Sequence, residues 1–434
     1  LVHHWSKVTS LCGEYNEDRS AFRQCHAHAL LRSVMTRVPR PGLNRAGMLA
    51  ISFAGFCTFL DLYATQPVLP LFETLFHATK AEAGLTVSAS TIAVAMVAPF
   101  VGALGDRARR KNVIVLAIVA LAIPTLLAAT SQGLGALIVW RFLQGATTPG
   151  VYVIALAYVT EEAGPGRVGT VMAAFVTGTV LGGLSGRILT GLVAAHAGWR
   201  EAFVVLGIIN LAGAAVTWRW LPASRYHTPR AGTGPGAPLA GLRDRRLVAT
   251  YAIGFNVLFT LVALFTYVTF YLSAPPFSLG TAAVSGVFVV YLVGAVATPI
   301  AGKVIDRVGP RVVIVGALGT GAAGALLTLG RALPLVIAGL AIACSGVFIC
   351  QAAATSYLRI ASSPALRALA SGAYVTVYYL GGSVGGVVPG LVWAHAGWAG
   401  CVALVVASQL VAAVLALTFW DRPVAPPEIV QPAT

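Results

Sequence analysis

A chain of 434 residues that is 57% hydrophobic and only 10% charged is not a soluble protein, which would carry about a quarter charged residues. Its net charge of +15 would point to nucleic acid in a soluble domain; in so apolar a chain it reads as basic residues holding loops on one side of a membrane. No ten-residue alternation of the kind a transmembrane barrel needs is present, so the spans are expected to be helices of about 20 residues that satisfy their own backbone hydrogen bonds.

Residues 1–45 are polar and basic, without the apolar stretch of a signal peptide. Met35 opens a short basic lead, and residues 1–34 read either as a disordered tail or as sequence upstream of the true start. Apolar runs of spanning length follow at 46–70, 83–104, 112–130, 135–159, 168–193 and 201–220. A Pro-, Gly- and Arg-rich linker, 221–246, separates these from runs at 247–272, 280–302, 312–330, 334–357, 369–393 and 399–420, and a tail covers 422–434. Numbered in order, spans 1 to 6 make one half (46–220) and spans 7 to 12 the other (247–421).

With the N-terminus in the cytoplasm, Arg107, Arg109, Arg110, Lys111, Arg167, Arg225, Arg230, Arg243, Arg245, Arg246, Lys303, Arg307, Arg311, Arg359 and Arg367 fall in inside loops. Only Lys80, Arg200 and Arg331 fall outside. That asymmetry predicts a multi-pass protein of the inner (plasma) membrane with both termini cytoplasmic. The six cysteines lack CxxC or metal-like spacing, the eight histidines are scattered, and no phosphate loop, nucleophile–base pair or ATPase motif is found. Neither an enzyme nor a cofactor or metal is expected, and any work must be driven by gradients.

The two halves echo each other. "GALGDRARRKNVIV", from Gly102, aligns with "GKVIDRVGPRVVIV", from Gly302, matching Asp106 with Asp306 and Arg107 with Arg307. "LGGLSGRILTGLVAAHAGWREAF" (181–203) aligns with "LGGSVGGVVPGLVWAHAGWAGCV" (380–402). Duplicated six-helix halves predict a secondary transporter whose binding site lies between them.

Over roughly residues 44–421 the chain resembles the major facilitator superfamily, and its first half resembles the drug:proton antiporter and sugar-efflux-like branch. "GALGDRARRK" is similar to the family's loop motif between spans 2 and 3, with Arg109 in place of its second Gly. "RFLQGATTPG", from Arg141, is similar to the span 4 motif R-x-x-Q-G. "GTVLGGLSGR", from Gly178, is similar to the antiporter motif of span 5, with Gly183 where Pro is usual and Arg187 where Gly is usual. The resemblance implies an all-α membrane fold of twelve helices in two pseudo-symmetric six-helix bundles, with spans 1, 4, 7 and 10 lining a central cavity. It also implies that Asp106 meets the N-terminal end of span 11, near Leu369, in one conformation only; by the repeat, Asp306 would meet span 5 near Gly169. Gly102, Asp106, Arg107, Arg110, Gly302, Asp306 and Arg307 are thus the expected conformational latch, the glycines allowing close approach. A loop that only sets topology is the alternative.

Asp61, Arg141 and Arg187 lie well inside apolar spans, where a charge costs at least about 2.5–3.5 kcal/mol, and are functional candidates for that reason. Asp61 and Arg141 fall roughly 4 and 9 Å outside the membrane centre, close enough in height to pair. Burial favours the neutral acid and a nearby guanidinium the carboxylate. Asp61, the only acid in the interior of a predicted span (Glu201 falls at the edge of span 6), is therefore the expected proton-coupling residue and Arg141 its modulator; a static pair that fixes packing is the other reading. Arg187 either faces the cavity or snorkels to the interface. Polar residues at helical spacing give the expected cavity lining: Thr58, Thr65, Gln144, Thr148, Tyr152, Arg187, Asn256, Thr260, Tyr267, Tyr271, Gln351 and Thr355. Gly178, Gly182, Gly186, Gly381 and Gly385 are expected where the halves slide on each other.

The leading expectation is a monomeric secondary transporter that exports a small organic solute in exchange for protons. Its partners are the solute, protons and lipid, not nucleic acid. Uptake by symport or uniport, and a sensor that transports nothing, are the alternatives.

Overall fold

The computed structural model of the chain describes residues 43–105, 109–164, 166–224, 243–363 and 366–421, and contains no strand among them. Ten continuous helices among the described residues are long and apolar enough to cross a membrane. Two details bring the crossings to twelve. Span 1 begins as Arg45–Leu60, where the Asn44 side chain caps the helix by accepting from the Gly47 N–H at 2.8 Å. It unwinds from Asp61 and resumes through a 3-10 turn, Gln66–Val68, into Leu69–Leu75. At the other end of the chain, Arg367–Phe419 is one helical run of 53 residues. Straight, it would reach about 80 Å, far beyond any bilayer. It breaks at Gly397 (φ 58°, ψ −153°) into spans 11 and 12. Tyr357, near the end of span 10, stacks on Trp420 at 4.0 Å, so the chain has returned to the side from which span 11 started.

Between these, span 2 is Lys80–Gly105, span 3 Arg110–Ala128, span 4 Leu134–Glu162, span 5 Val168–His196 and span 6 Trp199–Trp220. Span 7 is Arg245–Ser273; span 8 joins Thr281–Val287, a 3-10 turn and Tyr291–Val308; span 9 is Pro310–Leu327 and span 10 Leu333–Ala361. The repeated "AHAGW" marks two matching corners. Gly198 (φ 128°) and Gly397 (φ 58°) take backbone angles that cost only glycine nothing, and the following Trp199 and Trp398 are buried. His196 and His395 each place Nδ1 beside the carbonyl oxygen four residues back, at 2.8 and 3.2 Å.

Glycine stripes bind spans together inside each half. A Cβ at Gly178, Gly182 or Gly186 would overlap the carbonyl oxygens of Ser52, Phe56 and Leu60, so span 5 lies backbone to backbone on span 1. Gly381 and Gly385 lie in the same way on Phe255 and Phe259 of span 7. This corrects the expectation that these stripes form the sliding surface between halves.

The halves meet elsewhere. Gly84 of span 2 faces the backbone of Gly386 of span 11, and Gly191 of span 5 faces Ser285 of span 8. Ser88 Oγ donates to the Ser383 carbonyl at 2.6 Å, and Gln66 Nε2 to Thr266 Oγ1 at 3.1 Å. All of these lie at one end of the bundle. At the other end, where the described chain starts and finishes, neither Arg45–Leu60 of span 1 nor Tyr291–Val308 of span 8 packs extensively against an element of the other half. The two halves are sealed at one end and parted at the other.

Candidate functional site

The break in span 1 leaves backbone carbonyls without helical partners, and a guanidinium takes them up. Arg141 Nη1 donates to the Asp61 carbonyl at 2.7 Å and Nη2 to the Leu62 carbonyl at 2.6 Å. Its Nε donates to the Thr86 carbonyl at 3.0 Å, and Nη1 also reaches Gln144 Oε1 at 2.5 Å. The charge sits at the C-terminal end of a helix, where the macrodipole favours a cation. Arg141 is completely buried.

The Asp61 carboxylate, also buried, points away from that guanidinium. Its Oδ2 accepts from Asn210 Nδ2 of span 6 at 2.6 Å and lies 3.0 Å from the Thr125 hydroxyl of span 3. Gln144 Nε2 donates to the same hydroxyl at 2.9 Å, linking Arg141 to Asp61 through two neutral side chains. Asp61 Oδ1 and Asn210 Oδ1 have no hydrogen-bond partner. Asp61 and Arg141 therefore belong to one network, as their heights suggest, but Arg141 bonds the Asp61 backbone and the carboxylate faces spans 3 and 6 inside its own half. Thr125 and Asn210 were not among the expected residues; the signal for Asn210 was an amide inside an otherwise apolar span.

Arg187 makes a different site. It is 2% exposed and donates from Nε to Gln66 Oε1 (2.7 Å), from Nη1 to the Gly183 carbonyl (2.6 Å) and from Nη2 to the Tyr291 hydroxyl (3.3 Å). Its guanidinium carbon lies 4.7, 5.2 and 4.5 Å from the ring centres of Tyr63, Phe288 and Tyr291. No ion pair joins it to a carboxylate among the described residues. Tyr291 and Phe288 belong to the second half, so this cage spans the sealed end.

The other expected lining residues are divided. Tyr152 sits between Phe59 (5.7 Å) and Phe175 (5.6 Å), within its own half. Gln351 Oε1 accepts from the Tyr374 hydroxyl at 3.1 Å, and Thr355 bonds the Gln351 carbonyl. Thr58 and Thr148 bond carbonyls of their own helices, and Thr65 and Thr260 are buried with unpartnered hydroxyls. Asn256 donates to Ser408 of span 12. Tyr267 donates to the Gly386 carbonyl at 2.7 Å in the sealed seam, and Tyr271 stacks on Trp398 at the outer corner. Tyr374, Tyr378 and Tyr379 of span 11, in "YVTVYYL", pack ring to ring, with centres 6.1 Å and 5.4 Å apart for successive pairs.

Of the expected latch, Asp106 and Arg107 lie outside the described residues, and Gly102 falls near the end of span 2. Arg110 is buried and holds Glu161 through two 2.6 Å bonds, tying span 3 to span 4. Asp306 and Arg307 are exposed, and Asp306 makes no hydrogen bond or ion pair among the described residues.

Twelve crossings in two repeated halves match a known pattern: the Major Facilitator Superfamily, over residues 51–386 and again over 277–433. The chain belongs to the Major Facilitator Superfamily. Within it, the chain is 35% identical over 364 residues to the uncharacterized MFS-type transporter YybF of Bacillus subtilis (strain 168), covering 83% of this chain and 89% of that one. It is 33% identical over 378 residues to the inner membrane transport protein YnfM of Escherichia coli (strain K12), covering 86% and 90%. Two solved superfamily structures share the fold. A bacterial homologue of the human lysosomal transporter Spinster, inward-facing and occupied, superposes with a TM-score of 0.69 at 16% identity, over 85% of this chain and 95% of that one. The nucleoside transporter NupG superposes with 0.69 at 16%, over 86% and 100%. The chain is thus a membrane transporter of the superfamily type.

Proposed function

We propose that the protein exports a small organic solute across the inner membrane in exchange for protons, by alternating access. The observation that carries this reading is the asymmetry between ends. Each half is internally welded by backbone contacts, whereas the contacts named between the halves, the glycine seams and the Gln66–Thr266, Ser88–Ser383 and Arg187–Tyr291 bonds, gather at one end. Two stiff bodies joined at one end can rock about a central site. The parted end carries the Arg- and Lys-rich loops, which favours a cytoplasmic placement for it and for both termini. The structure then corresponds to the inward-facing state, and an unengaged Asp306 accords with a latch that closes in the opposite state.

Asp61 is the coupling residue in this reading. Its unpartnered Oδ1 can take or release a proton without disturbing the two contacts of Oδ2. A half-turn of the Asn210 amide exchanges donor for acceptor, so that the pair can bond in either protonation state. Arg141 acts on it through Gln144 and Thr125. The test is accumulation of a compound panel, including sugars and amphipathic drugs, in a host lacking its own exporters. Wild type and Asp61→Asn are compared with and without a protonophore. Lowered accumulation of a compound, abolished by both the substitution and the protonophore, is the expected result. Normal export by a folded Asp61→Asn variant removes Asp61 from coupling, and raised accumulation in wild type reverses the direction.

A further inference from the structure

Arg187 breaks the symmetry of the repeat. Aligning 181–203 with 380–402 places it opposite Gly386, the residue whose backbone seals the companion seam against Gly84. The seam between spans 2 and 11 thus closes with no side chain at this position. Sealing the seam between spans 5 and 8 does not by itself demand a guanidinium, and burying one without a carboxylate is expensive. Of its five N–H groups, three have partners, one of them at 3.3 Å, and two, one on each terminal nitrogen, remain for another acceptor. The Tyr291 bond is the weakest of the three, and it is the one that must break when the seam opens, because Tyr291 travels with the second half.

The surroundings select what that acceptor would be. The rings of Tyr63, Phe288 and Tyr291 surround the guanidinium, with their centres 4.7, 5.2 and 4.5 Å from its carbon. No carboxylate among the described residues faces this region. Asp61 turns into its own half, and the remaining acids, such as Glu73, Glu161 and Asp306, stand at helix ends. A cationic solute would meet a buried positive charge with no counter-charge. An anionic head group would supply the missing counter-charge, and aromatic faces would take its apolar body.

We infer that the translocated solute is an aromatic or amphipathic organic anion, held by its carboxylate or equivalent acid on Arg187 with its ring against Tyr63. This rests on the transport reading above and narrows it to a solute class. The Tyr291 hydroxyl takes a guanidinium donor in the sealed state and leaves as the seam opens, so solute binding and sealing compete for that donor.

Three matched probes test it on the full chain reconstituted in liposomes: salicylate, its neutral amide salicylamide, and the cation salicylamine. Protein-dependent flux of salicylate should exceed that of the other two at least tenfold. Arg187→Gln should lower it by about ten- to a hundredfold, the range for a lost charge-assisted bond, while Arg187→Lys retains part of it. The wild-type comparison stands even where a variant fails to fold. Flux of the amine or amide equal to that of salicylate, or full salicylate flux in a folded Arg187→Gln protein, overturns the anion assignment while leaving transport intact. No flux of any probe, across further matched triples of larger ring systems, overturns both readings.

Discussion

Substituting Gly84 by Ala addresses the seam between spans 2 and 11 directly. The new Cβ would overlap the Gly386 carbonyl oxygen and stand 2.9 Å from the Tyr267 hydroxyl. Backbone cannot yield there as a flexible side chain would, so spans 2 and 11 must part. Overpacking of this kind costs about 1–3 kcal/mol, and the Ser88–Ser383 bond that parting breaks contributes about 0.5–1.5 kcal/mol. Together these tilt the equilibrium between the two states by about 1.5–4.5 kcal/mol, or roughly tenfold to a thousandfold. Spin labels at the exposed Thr74 and Ser278, one on each half near the sealed end, report the change as a shift toward longer distances. Gly178→Ala is the control. It makes a comparable overlap with the Ser52 carbonyl, but inside one half, so it should lower thermal stability and leave the label distance unchanged. An unshifted distance distribution in Gly84→Ala would refute the view that this contact holds the end shut.

Glu161→Gln should destabilise the protein by about 1.5–3 kcal/mol, seen as a lower unfolding temperature, because it takes the charge out of the two bonds that Arg110 makes to this side chain. Asp421→Ala, which removes the half-exposed partner of Arg246, should leave that temperature unchanged. Gly397→Ala forces a side chain into a backbone region open in practice only to glycine and should cost about 1–3 kcal/mol, read in the same melting assay. Gln144→Ala should weaken coupling without abolishing solute binding, since it cuts the link between Arg141 and Thr125 but touches neither Arg187 nor the tyrosines. Equal losses of binding and coupling would contradict that division.

How much of this was legible beforehand depends on whether the signal is local. Spanning runs, the linker and the repeat are properties of the chain in one dimension, and most span ends fall within a few residues of the helices observed. The unwinding at Asp61 was not legible, because "FLDLYATQPVLP" ends an apolar run of spanning length and its prolines were counted inside the span. The orientation of Asp61 was beyond reach for a different reason. Where both faces of a helix are apolar, periodicity cannot say which neighbour a lone polar group will find, and Thr125 and Asn210 lie 64 and 149 residues away. The glycine stripes were read with the right chemistry and the wrong partner. Their spacing announces a close helix contact, but only three dimensions assign that contact to span 1 and span 7. Arg187 was visible as a departure from a motif; its aromatic cage, drawn from three separate stretches of chain, was not.

The glycine welds have a consequence for how such a protein can change over time. The residues that stiffen each half, Gly178, Gly182, Gly186, Gly381 and Gly385, face carbonyls of their own half and are none of the residues proposed to meet the solute. Tyr152, Gln351 and Tyr378 occupy other positions on the helices and pack chiefly through their own rings and amides. Chassis and recognition surface are therefore written in separate letters of the sequence. A descendant can exchange its tyrosines for a new substrate while its glycines stay fixed, and inherit the rocking motion unaltered.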